Sequence, residues 1–154
     1  MATEKIHHRR DDVVARTVRE FEALDDLVRR LRPEDWARPV PRPETRDPWT
    51  VKDALAHVTY WKARTARGLR RLRHPEEERG LTITDLNRLV YERWLDRSPA
   101  EVLRWHRRVQ EEALAALAEV PEERISGGPH LPEWPGDFDG HSAHHRLRDI
   151  QAAL

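Results

Sequence analysis

Three times in this chain a hydroxyl side chain stands three residues ahead of an acid, at the head of an apolar periodicity. That pairing belongs to the start of a helix. The pairs are Thr50 with Asp53, Thr82 with Asp85, and Ser98 with Glu101. In each, the hydroxyl accepts from the backbone N–H three residues on, and the carboxylate accepts in turn from the cap's own N–H. Trp49 with Ala54, and Leu81 with Leu86, stand where a hydrophobic staple would close the first turn. Pro99, directly after Ser98, is preorganised for that turn.

The apolar rows between these starts have helical spacing. Val14, Val18, Phe21, Leu24, Val28 and Leu31 predict a first helix over Asp12 to Leu31, closed by Pro33. Pro39, Pro41, Pro43 and Pro48 exclude both a helix interior and a central strand. This stretch is expected to cross the surface, anchored by Trp36 and Trp49. Val51, Leu55, Val58, Trp61, Thr65, Leu69 and Leu72 predict a second helix ending before His74-Pro75. A short third carries Ile83, Leu86, Val90 and Trp94. A fourth carries Val102, Trp105, Val109, Ala113 and Ala116 as far as Pro121, with His106, beside Trp105, expected to point away from the core. Residues 126–140, rich in Pro and Gly, read as loop, and a last helix spans His141 to Leu154. The expectation is an all-α four-helix bundle with an extra short helix and a long Pro-rich loop. It forms one domain over 12–154 behind a flexible terminus, 1–11.

Charge and composition narrow the function classes. The 28 basic residues balance 28 acidic ones, whereas a duplex-binding protein needs surplus cations to displace counterions. Arg64, Arg67, Arg70, Arg71 and Arg73 spread around their helix, and Glu76 to Glu78 follow at once. No nucleic-acid partner is expected. The absence of cysteine excludes a thiolate nucleophile and a zinc–cysteine site. No apolar run reaches membrane length, and Met1 to Arg10 lacks the apolar segment of a signal peptide. A cytoplasmic protein with no membrane partner is the expectation.

Pro33-Glu34-Asp35-Trp36, followed by Trp49-Thr50-Val51-Lys52-Asp53-Ala54-Leu55-Ala56-His57, resembles the opening of DinB/YfiT-like proteins. Tyr91-Glu92-Arg93 and Ser98-Pro99-Ala100-Glu101-Val102 are similar to the DfsB-like branch. The likeness runs from Asp12 to Ile150. It implies a four-helix bundle, often a homodimer, with a divalent metal (zinc, nickel or manganese) held in many members by three histidines. His57 matches the first, and His141 and His145, one helical turn apart, are the candidates for the others. Three protein ligands leave a position for water or a thiol. The resemblance therefore implies a metal-dependent thiol S-transferase or hydrolase acting on a small-molecule substrate with a low-molecular-weight thiol. The alternative it implies is a metal-free, DfsB-like protective or small-molecule-binding bundle.

The last helix departs from the family pattern. Counting back from Asp149-Ile150 by the usual spacing lands on Arg146 and Ser142. On a regular wheel of about 100° per residue, Ala143, Leu147, Ile150 and Leu154 define the apolar face, and His144 lies nearer to it than His141 or His145 does. His144 is therefore the substitute for His145. His57 sits roughly 90° from the centre of its helix's apolar face, a boundary position. Trp61, one turn after His57, and Trp134, in the loop before the last helix, are the candidate pocket-lining residues.

Overall fold

Helix α2 (Val51–Leu69) is buried on almost every side over its first ten residues, and the other helices are arranged around it. The computed structural model describes residues 6–41, 43–127 and 138–154. Around α2 stand α1 (Arg10–Arg29), the short α3 (Ile83–Trp94), α4 (Pro99–Glu119) and α5 (Gly140–His145). The chain leaves α5 through a π-helical turn (Arg146–Ile150) into a last turn, α6 (Gln151–Ala153). The most extensive interface joins α2 to α4, while α1 packs on α4 and α5, and α3 packs on α2. The architecture is the all-α bundle expected, extra short helix included. Among the described residues, extended pairing is limited to Ile6–His7 (β1) against Ser126–Gly127 (β2) and a single bridge between Pro39 and Thr50. No helix among them is long and apolar enough to cross a membrane.

All three capping boxes form. The Thr50, Thr82 and Ser98 side chains accept from the N–H of Asp53, Asp85 and Glu101, and the carboxylates return the bond. Lys52 then ties α2 to the end of α3, donating to the carbonyls of Trp94 and Leu95 at 2.8 Å and of Arg97 at 2.9 Å. Helix α2 stops at Leu69, one turn earlier than its apolar row suggests, and Leu72 is exposed. Arg71 adopts a left-handed φ of 54°, and the Leu72 N–H returns to the Arg67 carbonyl at 3.0 Å. This is a Schellman-type stop, which ends a helix without glycine or proline.

The core holds two larger apolar clusters toward the ends of α2, a smaller one of Tyr60, Leu86 and Val90, and buried polar side chains between the larger two. One of the larger clusters joins Leu24, Val28, Trp36, Trp49, Leu55, Val102 and Ile150; the other joins Val13, Ala66, Leu69, Ala113, Leu117, Ile125 and Phe138. Between them Lys62 is buried and donates to Gln110, with Phe21 beneath its ammonium. His106 points into this layer and is 2% exposed, against the expectation from its neighbour Trp105. It shares a face with Val102 and Val109, stacks on Phe21 at 4.8 Å, and has Asp25 3.6 Å from its Nε2. Trp105 is only partly buried and stacks on Trp94.

Burial, reinforced by nearby Lys62, pushes the His106 imidazole down to about 4. Between that value and the unfolded value of 6.5 the unfolded chain binds the extra proton, so stability rises with pH across this window. The contribution is complete above pH 6.5 and is lost as pH falls through 4. It amounts to about 3 kcal/mol. Denaturant unfolding between pH 7.5 and 4.5 should show this slope, to which buried His57 and His141 add in the same sense, and His106→Gln should make it shallower; an equally steep slope in the variant would exclude His106 as a source.

Candidate metal centre

The cap on Thr50 sets where α2 begins, and His57 follows two turns later, 2% exposed. Its ring lies 4.7 Å from Trp49, which is itself buried, and 6.4 Å from Trp61. Helix α5 approaches from the other side. The Asp139 side chain accepts from the Gly140 N–H at 2.9 Å to start it, and His141 and His145 then project one turn apart toward α2. The ring centroids of His57, His141 and His145 lie 4.5–5.0 Å from one another.

Glu44, from the Pro-rich crossing, completes the cluster. His57 Nε2 lies 3.1 Å from His141 Nε2 and 3.3 Å from Glu44 Oε2, while His145 Nε2 lies 3.1 Å from Glu44 Oε1. One donor atom from each of the four residues falls within 4.8 Å of all the others.

Behind this group, Asp149 is fully buried and its Oδ2 lies 2.5 Å from His145 Nδ1. Arg148 braces the same carboxylate, Nε to Oδ1 at 2.7 Å and Nη2 to Oδ2 at 2.9 Å. A carboxylate facing Nδ1 fixes the tautomer: Nδ1 carries the proton and Nε2 presents its lone pair to the cluster. Accordingly, His145 Nε2 is buried without a hydrogen-bond partner of good geometry, although a carboxylate oxygen is close by.

Burial holds His57 below the ordinary imidazole range despite Glu44, and holds His141 well below it, with His57 and His145 adding to the effect. His145 first, and then His57, keep the Glu44 carboxyl well below the usual carboxylate range. Two imidazoles biased toward neutrality, a third with its lone pair turned inward and an anionic oxygen converge on one point, a donor set that suits a divalent cation. Ligands about 2.0–2.1 Å from a tetrahedral zinc ion stand roughly 3.3 Å from each other. The close donor pairs, at 3.1–3.3 Å, fit that spacing. Three imidazole nitrogens with one carboxylate oxygen suit zinc, nickel or manganese.

The structure thus brings together His57, His141 and His145, and it leaves His144 out. His144 is exposed, with Arg148 Nη1 2.8 Å from its Nε2. The regular wheel favoured it because the wheel carries one angular step through the whole segment. The π-helical turn over Arg146–Ile150 takes up one extra residue. That residue shifts the histidines from the family positions, now held by Ser142 and Arg146, to His141 and His145. It also leaves Leu147 56% and Leu154 48% exposed, so the apolar face read from them does not exist. Trp61 is partly buried beside His57, its Nε1 donating to Asn87 at 2.8 Å. Trp134 lies outside the described residues. Glu44 was not foreseen, since a loop carboxylate has no periodicity to place it. Asp149 was in view only as a family landmark, although its spacing of four from His145 was a usable signal.

The family model described as the mycothiol maleylpyruvate isomerase N-terminal domain matches residues 17–152. No curated protein sequence matches. Among solved structures, an uncharacterised protein of Escherichia coli UTI89 superposes with a TM-score of 0.70 at 12% identity, over 93% of this chain and 94% of that one. The colibactin self-resistance protein ClbS, solved in complex with double-stranded DNA, gives 0.68 at 13% identity, over 95% and 97%. DfsB, a sibling lethal factor precursor, gives 0.65 at 16% identity, over 92% and 95%. The fold is that of the DinB/YfiT-like superfamily, with distant likeness to DfsB and ClbS. At these identities the superpositions establish the fold and nothing finer.

One expectation is corrected here. Nucleic acid was excluded as a partner on net charge, yet ClbS, with the same fold, is solved on duplex DNA. Net charge sums the whole surface, whereas phosphate contacts require only a local group of cations. Neutrality gives no ground for that exclusion.

The Asp149–His145 contact generates a prediction of its own. In the metal-free protein, ¹⁵N shifts of His145 should report a protonated Nδ1 and a bare Nε2. Asp149→Ala should abolish that preference and lower the affinity for added Zn²⁺ about 10- to 100-fold. An unchanged tautomer and affinity would remove Asp149 from the site.

Proposed function

We propose, from the premise that this chain belongs to the mycothiol maleylpyruvate isomerase N-terminal domain family, that it binds a divalent metal and uses it to capture or inactivate a small reactive molecule. The observation that carries the proposal is the convergence of donor atoms from Glu44, His57, His141 and His145. In this reading His57, His141 and His145 supply the nitrogens, and Asp149, braced by Arg148, keeps His145 in the donor tautomer. Trp49 and Trp61 flank His57 and shield one side from water. A divalent ion held here would supply Lewis acidity, polarising an electrophile or making a bound thiol or water more nucleophilic.

A small-molecule thiol transfer or hydrolysis fits that chemistry. The protective direction draws its support from ClbS, whose name records self-resistance to colibactin. The same relative supports a second reading, a DfsB-like bundle that sequesters its compound without any metal. Tryptophan emission separates the two. Under the metal reading, a chelator should abolish the response to a small electrophile. Under the second reading, the response should be the same with and without chelator.

The direct test is elemental analysis of untagged protein purified without chelator, beside His57→Ala. About one divalent ion per chain is expected in the parent and none in the variant, with helicity retained. A parent that stays empty after exposure to Zn²⁺, Ni²⁺ and Mn²⁺ would defeat the metal reading and leave the sequestering bundle in its place.

A further inference from the structure

Glu44 differs from the three histidines in how it is held. His57 and His145 are 2% and 0% exposed, whereas the Glu44 side chain is 32% exposed and closes the cluster from the solvent side. It comes from a segment tied down at its ends. The Val40 N–H donates to the Trp49 carbonyl at 3.0 Å, the Val51 N–H donates to the Arg38 carbonyl at 3.0 Å, and the Val40 and Trp49 side chains are buried in the core. Between these ties Thr45 bonds to Asp47, Oγ1 to Oδ2 at 2.9 Å, and among the described residues no backbone bond links 41 or 43–46 to a helix. Pro39, Pro41, Pro43 and Pro48 stiffen the crossing, so little chain entropy is lost in presenting the carboxylate.

The carboxylate also has somewhere else to go. Arg148 Nη2 lies 3.7 Å from Oε1, near enough to receive it after a small side-chain rotation. On its outer side Glu44 lines a groove of about 270 Å³ between the crossing and α3, bordered also by Thr84 and Arg88. Among the described residues, Glu44 is the one that belongs to both this groove's lining and the histidine cluster.

We infer that Glu44 is a fourth, displaceable protein donor to the divalent ion, whose place is taken by an incoming anionic ligand such as a thiolate. The inference rests on the metal reading above and adds to it. With Glu44 bound, four protein donors close the coordination sphere in the manner of a structural site; with Glu44 on Arg148, three donors remain and one position is open, as in catalytic sites. Glu44 thereby sets which ligands reach the ion, because only one that competes with a carboxylate can enter.

Co²⁺ titration followed by visible absorption tests this on the parent, Glu44→Ala and His57→Ala, using 2-mercaptoethanol as the thiolate probe. The parent should bind Co²⁺ with the intense d–d bands of four-coordination. Glu44→Ala should still bind it, at least about 10-fold more weakly, with weaker bands from added water ligands. Its sulfur-to-cobalt charge-transfer band should develop at about 10-fold lower thiol than in the parent. His57→Ala should not bind. A Glu44→Ala protein matching the parent in affinity and spectrum would overturn this inference and leave the histidine site standing. Weaker Co²⁺ binding with no gain in thiol response would make Glu44 a fixed donor, overturning its displacement. A parent that binds no Co²⁺ would overturn both this inference and the reading it rests on.

Discussion

Burying unprotonated imidazoles and a lysine in the middle of a helical bundle is costly, and the arrangement of this chain follows from how that cost is met. An unpartnered polar group in an apolar interior forfeits about 1–3 kcal/mol. The two larger apolar clusters keep to the ends of α2 and α4, and Lys62, His106 and Gln110 are buried between them. Lys62 meets Gln110, Arg146 pairs with Glu20 at 2.8 Å, and His145 meets Asp149. The Nε2 atoms of His57, His141 and His145 instead face one another and Glu44, an arrangement whose geometry is compatible with a divalent cation.

The last helix shows how a local irregularity makes this possible. With α geometry throughout Gly140–Ala153, the residues that bury Ile150 would turn Ser142 and Arg146 toward α2. The π-helical turn takes up one residue and places His141, His145 and Asp149 on one face, while Ile150 still reaches the core. Such turns recur at functional sites because they re-aim side chains at the loss of one regular hydrogen bond. Here the gain is a pair of histidines backed by a buried carboxylate. Arg146, displaced from the cluster, pairs with Glu20 on α1 and helps dock the helix.

The crossing from α1 to α2 contributes differently. Its ends are fixed by backbone bonds and buried aromatic surface, and its middle carries the acidic donor. The cluster thus combines histidines from two helices with a carboxylate from a stiff crossing, so its nitrogen and oxygen donors come from different parts of the fold.

Much of this was legible in the residues. A capping box and a row of apolar side chains are local instructions, acting over three to seven residues, so the starts of α2, α3 and α4 and the all-α class follow from sequence alone. The pairing of His57 with a histidine pair one turn apart came instead from the family resemblance, since periodicity left His57 at a boundary position. The choice between His144 and His145 was decided by the tertiary structure, because periodicity gives an angle about a helix axis only while the helix stays regular. Glu44 was decided there too, since a proline-rich loop has no period and its carboxylate meets α2 and α5 only after the bundle closes. His106 turned inward for a related reason: assigning its neighbour Trp105 to the core face pointed it outward, but the face it shares with Val102 and Val109, and the ring of Phe21 from another helix, hold it in the core.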